Sequence, residues 1–279
     1  MAKTNNTPDT GSKADVITLV GMVLALAGLF GGLFLEGGSL TDIAQITAAM
    51  IVLGGTAGAT MISTPHAILR GSLRRLRAVF FDQPSSTASL LETILDYATR
   101  ARKNGIVSLE EEVDGQPDPF LRKALTMAVD GTDVQEIRSM MEVELGIEEE
   151  RAEAEAKVLE IAGGFAPTVG IIGAVMGLIQ VMKHLENIEE VGHGIAVAFV
   201  ATVYGVGFAN LFLLPAASKM KARARQSIMY KEMALEGVVG IVEGLNPKLI
   251  RSKLEPYLEG SQAATTSAAR ERRPSVQAA

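Results

Sequence analysis

From Ile161 to Met182 the chain carries no Asp, Glu, Lys or Arg. At about 1.5 Å of rise per residue, a helix over this run covers the roughly 30 Å hydrocarbon core of a bilayer. Gly163, Gly170, Gly173 and Gly177, with Ala166 and Ala174, fall close to one face of that helix. Small residues so placed let a second backbone approach closely. The run therefore predicts a spanning helix packed against partner helices. The packing either surrounds a pathway or is small-residue packing and nothing more. Pro167 removes one backbone donor near the start.

Composition agrees with a membrane protein: 48% of the residues are hydrophobic and the mean hydropathy is positive. There is no cysteine, which removes disulfides, thiolate metal sites and Cys nucleophiles together. The three histidines, at 66, 184 and 193, are too scattered for a zinc site. A net charge of −6 argues against nucleic-acid binding. Residues 1–15 read as a polar, disordered tail without a signal-peptide pattern, so the first apolar run is expected to be retained.

Four spans follow from the pattern. Val16–Leu35 and Ile43–Ile62 form a hairpin (16–62) about a short turn at Gly37 and Gly38. The run from Ile161 is the third span, and Gly194–Leu214, closed by Pro215, is the fourth; together they make up 161–215. Arg70, Arg74, Arg75 and Arg77 follow the second span, and Lys219, Lys221, Arg223 and Arg225 follow the fourth. The turn at 36–42 has no basic residue and the loop from Lys183 to His193 has one. Basic residues mark the cytoplasmic side. Both termini are therefore expected in the cytoplasm.

The stretch 64–160 reads as a helical cytoplasmic domain without strand alternation. Ser89 with Glu92, Ser108 with Glu111, and Thr132 with Gln135 look like helix starts. Asn104-Gly105 and Asp130-Gly131 look like stops. The last helix is expected to run straight into the third span. Residues 216–258 read as cytoplasmic helices broken at Asn246-Pro247, and 259–279 as a disordered Ala/Ser/Thr-rich tail. The fold class is thus an all-α membrane protein with a helical domain between spans 2 and 3 and a C-terminal cytoplasmic helix.

No catalytic set is visible: there is no phosphate-binding loop, no HExxH and no Ser–His pair, so the chain is not expected to be an enzyme. The spans also lack any acid at bilayer depth, since Asp15, Glu36 and Asp42 lie at the edges. A proton or sodium path needs an intramembrane carboxylate. A partner chain would have to supply it, with its helix received in the small-residue groove of 163–177. Thr202 is the polar group best placed to serve the ion, unless its hydroxyl bonds back to its own helix. Pro167 and Pro215 are candidate hinges or simple helix ends. The run Arg100, Arg102 and Lys103, followed by Glu110 to Glu112, is either a solvated turn or a bipolar docking knob.

Two stretches carry a resemblance. One is Ala166-Pro167-Thr168-Val169-Gly170-Ile171-Ile172-Gly173-Ala174-Val175-Met176-Gly177-Leu178; the other runs from Gly194 through Thr202, Tyr204 and Asn210 to Leu214-Pro215. With the hairpin before the large loop, the chain from Ile17 to Leu258 resembles the MotA/PomA flagellar stator family of the MotA/TolQ/ExbB superfamily. The resemblance implies a pentameric ring around a MotB-like partner, which supplies the intramembrane Asp and anchors to peptidoglycan. Ion flow would then turn the ring against the rotor protein FliG. It implies rotor contact by Arg102, Lys103, Glu110 and Glu111, an ion pathway involving Thr202, Ala174, Pro167, Gly170 and Gly177, and conformational coupling at Pro167 and Pro215. Ala174, where sodium-driven members tend to carry Thr, implies protons as the coupling ion, with no cofactor or metal. The competing readings are an ExbB/TolQ-type energiser of an envelope process and a membrane scaffold without ion flux.

Overall fold

The computed structural model describes residues 13–14, 16–82 and 86–270. The elements in order are β1 (Lys13–Ala14), α1 (Val16–Leu35), α2 (Leu40–Ile43), α3 (Ile46–Ser63), α4 (His66–Phe80), β2 (Phe81–Asp82), α5 (Thr87–Asn104), α6 (Glu110–Gly115), α7 (Pro119–Val129), α8 (Val134–Lys183), α9 (Ile188–Val242) and α10 (Pro247–Arg270). Lys13–Ala14, expected within the tail, pair antiparallel with Phe81–Asp82. Residues 1–12 and 271–279 of the expected tails lie outside the described residues. The C-terminal helix, expected to end at Leu258, runs on to Arg270. Ala263, Ala264, Ala268 and Ala269 are strong helix formers and carry it there.

Four helices are long and apolar enough to cross a membrane: α1, α3, and parts of α8 and α9. In α1 the large side chains point outward, with Leu24 at 72% and Leu35 at 92% exposed. A helix that is apolar all round and unburied has lipid or another chain for its surroundings. The second span begins at Ile46 rather than Ile43, because the chain breaks at Ala44-Gln45 after α2. Ser39 caps α2, and its N–H donates to Asp42 Oδ2 at 2.7 Å. Pro215 does not end the helix that carries the fourth span. A π-helical turn at Ala209–Leu213 precedes it, and the helix continues to Val242. Pro167 likewise lies inside an unbroken 50-residue α8.

The chain divides into two compact units, Met1–Gln83 with Ala152–Lys221, and Pro84–Arg151 with Ala222–Ala279. These compact units are bounded differently from the expected cytoplasmic stretches 64–160 and 216–258. Helix α4 belongs with the spans, because it packs on α8: a Cβ on Gly71 would lie 2.0 Å from Glu155 Oε1. Arg75 Nε pairs with that same carboxylate, which is 4% exposed. The far end of α9 belongs to the helical domain, whose core it fills with Met233, Val238 and Val239.

In the helical domain those residues meet Ile94 and Leu95 of α5, Leu121 and Leu125 of α7, Ile137 and Met141 of α8, and Leu254 of α10. The caps sit elsewhere than expected. Ser86, not Ser89, caps α5 and accepts from the Ser89 N–H at 3.1 Å. Asp133, not Thr132, accepts from the Gln135 N–H at 2.8 Å at the start of α8. Ser108 donates to the Gly105 carbonyl at 2.6 Å, inside a 3-10 turn (Ile106–Leu109) before α6. Ser, Thr and Asp all cap well, so a helix start rich in them has several equivalent candidates.

Candidate functional site

The glycine face of α8 is filled, and α9 of the same chain fills it. A Cβ on Gly170 would lie 2.9 Å from the Ala201 carbonyl oxygen, and one on Gly177 would lie 2.7 Å from that of Gly194. From the other side, a Cβ on Gly205 would lie 2.5 Å from the Ala166 carbonyl oxygen. Gly173 meets the Ala201 methyl and Ile51 of α3, and Gly163 meets Leu214. Gly55 of α3 faces Val169. The expected groove for a partner's helix is therefore corrected: Gly170 and Gly177 set the spacing of spans 3 and 4 and leave no opening. A small-residue face shows that some backbone comes close, not whose. Gly194 and Gly205, the matching half, were missed. Their spacing of eleven, three helical turns, was the available signal.

The polar groups of these spans are few and mostly committed. The Thr202 hydroxyl donates to the Ala198 carbonyl at 3.2 Å, one turn back, which is the back-bonded geometry. Its oxygen keeps acceptor capacity. Thr168 donates to the Phe165 carbonyl at 2.8 Å, and the Asn210 amide to that of Val206 at 2.9 Å. Ala174 and Pro167 are half-buried and Pro215 is exposed. Tyr204 does more than its sequence position suggests. Its hydroxyl donates to the Ile43 carbonyl and accepts from the Gln45 N–H at 3.3 Å. These two backbone groups also bond each other, the Gln45 N–H donating to the Ile43 carbonyl at 3.0 Å, so the hydroxyl ties an already closed turn before α3 to α9.

The charged turn of the helical domain lies at the end of α5. Gly105, at φ 82°, reverses the chain after Asn104. Arg100 bridges Asp96, at 2.8 Å, and Glu112 across the turn. The Asp96 hydrogen bond, with the two carboxylates' charge, raises the Arg100 pKa further. Arg102, Lys103, Glu110 and Glu111 are exposed, and among the described residues none is ion-paired. One pair thus staples the turn while two bases and two acids face outward. Arg102 also rims a cavity of about 310 Å³ with Ala98, Ile106, Thr132 and Leu245.

Comparison with known proteins finds the same arrangement elsewhere. Residues 112–233 match the family described as MotA/TolQ/ExbB proton channel, and residues 19–105 match Motility protein A N-terminal. Motility protein A of Bacillus subtilis is 36% identical over 245 residues, covering 88% of this chain and 91% of that one. Chemotaxis protein PomA of Vibrio alginolyticus is 29% identical, covering 89% and 98%. Among solved structures, that of C. jejuni MotAB superposes with a TM-score of 0.83 at 32% identity, covering 87% of this chain and 95% of that chain. The flagellar MotAB stator complex from Bacillus subtilis gives 0.80 at 35%, covering 86% and 95%.

Proposed function

The chain belongs to the MotA/TolQ/ExbB proton channel family, and from that premise we propose how it works as a flagellar motor stator subunit of the inner membrane. It assembles as an oligomer with a MotB-like partner, the composition of the complexes it resembles. One observation carries the mechanism: the four spans hold no carboxylate, yet spans 3 and 4 are locked together around Thr202. An ion cannot cross hydrocarbon without a charge partner, so the MotB-like chain supplies the acid. The partner's helix lies on span surface outside the closed glycine contact. Copies form a pentameric ring with both termini in the cytoplasm, an orientation the basic residues after spans 2 and 4 support. The helical domain then faces the rotor protein FliG, and the outward charges of Arg102, Lys103, Glu110 and Glu111 engage it. An ExbB/TolQ-type role is disfavoured by the match of the N-terminal hairpin to Motility protein A.

Protons are the proposed coupling ion. A dehydrated sodium ion needs several oxygen ligands, whereas a proton needs the partner's carboxylate alone. Ala174 offers no side-chain oxygen, which leaves the Thr202 hydroxyl without a second side-chain oxygen from that position. Swimming of the unmodified strain is expected to be independent of sodium and to stop with a protonophore. A sodium requirement would overturn the assignment, and Ala174→Thr tests whether an added oxygen shifts it. The rotor contact is tested in a deletion strain complemented with Arg102→Glu, alone and with a charge-reversed FliG. Loss with the first and recovery with the second is expected. Undiminished swimming with Arg102→Glu and its double with Glu110→Arg would refute it.

A further inference from the structure

The outward face of α4 carries charge that the mechanism above does not use. Arg70, Arg74 and Arg77 recur at i, i+4 and i+7 and form one stripe. All three are exposed, and none is ion-paired among the described residues. The opposite face is fixed by the Gly71 approach to Glu155, the Arg75–Glu155 pair, buried Ser72 and Leu76 packed on the α8–α9 contact. The helix cannot roll to hide the stripe.

Height decides what the stripe can meet. Gly55 faces Val169 and Gly71 faces Glu155, so α3 and α4 run antiparallel to α8 in nearly constant register. In that register Arg74 is level with residue 152 of α8, and Arg77 lies about one turn further along α4. Counted from Ser63, they stand roughly 16 and 21 Å beyond the end of the span at about 1.5 Å per residue. Lipid headgroups extend only about 5–7 Å past the hydrocarbon on each side. The stripe therefore clears the membrane. At its height α8 bears Glu150 and Glu153, three apart on one exposed face and not ion-paired among the described residues. Their neighbours Glu144, Glu148, Glu155 and Glu160 are each paired within the chain. Exposed Lys157 lies a turn nearer the membrane, level with Arg70, so Arg70 has no acid opposite it.

We propose that Arg74 and Arg77 of one copy dock on Glu150 and Glu153 of the next copy in the ring. This rests on the ring assembly given above. Copies that cross one bilayer present equal residues at equal heights, and a head-to-tail ring needs two different, complementary patches on each subunit. The basic and acidic stripes supply them.

The test uses the full chain co-expressed with its MotB-like partner. The chain has no cysteine, so two singly substituted chains, Arg74→Cys and Glu153→Cys, can be expressed together and treated with a short bis-maleimide. A dimer band in the mixture, absent from either chain alone, is expected. Arg74→Glu with Arg77→Glu should reduce full-size complex in native mass spectrometry at least ten-fold. Adding Glu150→Arg and Glu153→Arg should restore it. Absence of the cross-link, failure of the four-fold swap to restore the ring, or reversal that removes bound anionic lipid while the ring stays whole would overturn the proposal. If the reversed chains do not accumulate, the cross-link still decides. Complex size and cross-linking are read without swimming, so a failure of the stator role leaves them unchanged.

Discussion

Replacing Gly205 by alanine should separate spans 3 and 4. The new Cβ would stand 2.5 Å from the Ala166 carbonyl oxygen, 3.1 Å from Gly170 Cα and 3.2 Å from Ala166 C. All three are backbone atoms, so no side chain can swing aside. Ordinary contact begins near 3.4 Å, and the two helices must part by close to an ångström. Parting also loosens Gly170 on Ala201 and Gly177 on Gly194. A gap of about 0.5–1 Å forfeits a quarter to a half of each dispersion contact. In lipid no hydrophobic term between helices compensates. Overpacking of this kind costs about 1–3 kcal/mol. Gly207→Ala is the control: the same change lies two residues on, with nothing within 4 Å of its Cβ. There alanine raises helix propensity by up to about 1 kcal/mol. The assay is the thermal midpoint of the purified complex, with swimming-halo diameter beside it. Gly205→Ala should lower both, and Gly207→Ala should hold or raise the midpoint. Equal midpoints for the two variants would refute the close-contact reasoning.

Tyr204→Phe removes the hydroxyl that serves Ile43 and Gln45. The Gln45 N–H and the Ile43 carbonyl keep their own bond at 3.0 Å, so the loss should be the net worth of the hydroxyl's bonds, about 0.5–1.5 kcal/mol, seen as a lower thermal midpoint; an unchanged midpoint would count against a tie between α9 and the turn. In the helical domain, hydrogen bonding from Arg138, aided by Lys253 and opposed by partial burial, holds the Glu236 carboxyl below its usual range. A folded-state pKa below the unfolded one stabilises above the unfolded value, and that contribution is lost as pH falls through the lowered one. The stability gap between the parent and Glu236→Gln should thus be full at neutral pH and close in acid, and a gap that stays constant with pH would count against the assignment.

Much of the fold was legible because its signals are local. Four uncharged runs specify four spans, and Gly105 at φ 82° ends α5 where Asn104-Gly105 suggests. What was not legible depends on contacts between distant residues. Arg75 and Glu155 are eighty positions apart, and nothing near either announces the pair. The place of α4 with the spans follows from that pair and from Gly71. Pro215 looked like a terminus because proline lacks the N–H and crowds the preceding turn. A π-turn at Ala209–Leu213 lies just before it and the helix runs on to Val242, and such turns are rare. For the site, the outward charges at Arg102, Lys103, Glu110 and Glu111 were readable as a run. That Arg100 and Glu112 are spent on each other, leaving the rest unpaired, required the coordinates.

The proposed role of Pro167 and Pro215 gains a physical form from the same contacts. Pro167 leaves α8 one backbone bond short. In α9 the looser stretch is the π-turn at Ala209–Leu213, with Pro215 two residues after it. The two weak places are neighbours in space, since the Ala166 carbonyl faces Gly205 and Gly163 faces Leu214. Prolines and π-turns are where helices bend. On one side of this level Gly170, Gly173 and Gly177 clamp the two spans together. A bend in α8 alone would drive Gly163 against Leu214 or pull Ala166 away from Gly205. In the proposed mechanism the pair bends together, with the two prolines as one joint across two helices. In that mechanism a displacement that an ion imposes on the clamped spans passes through the joint before it reaches the rest of either helix.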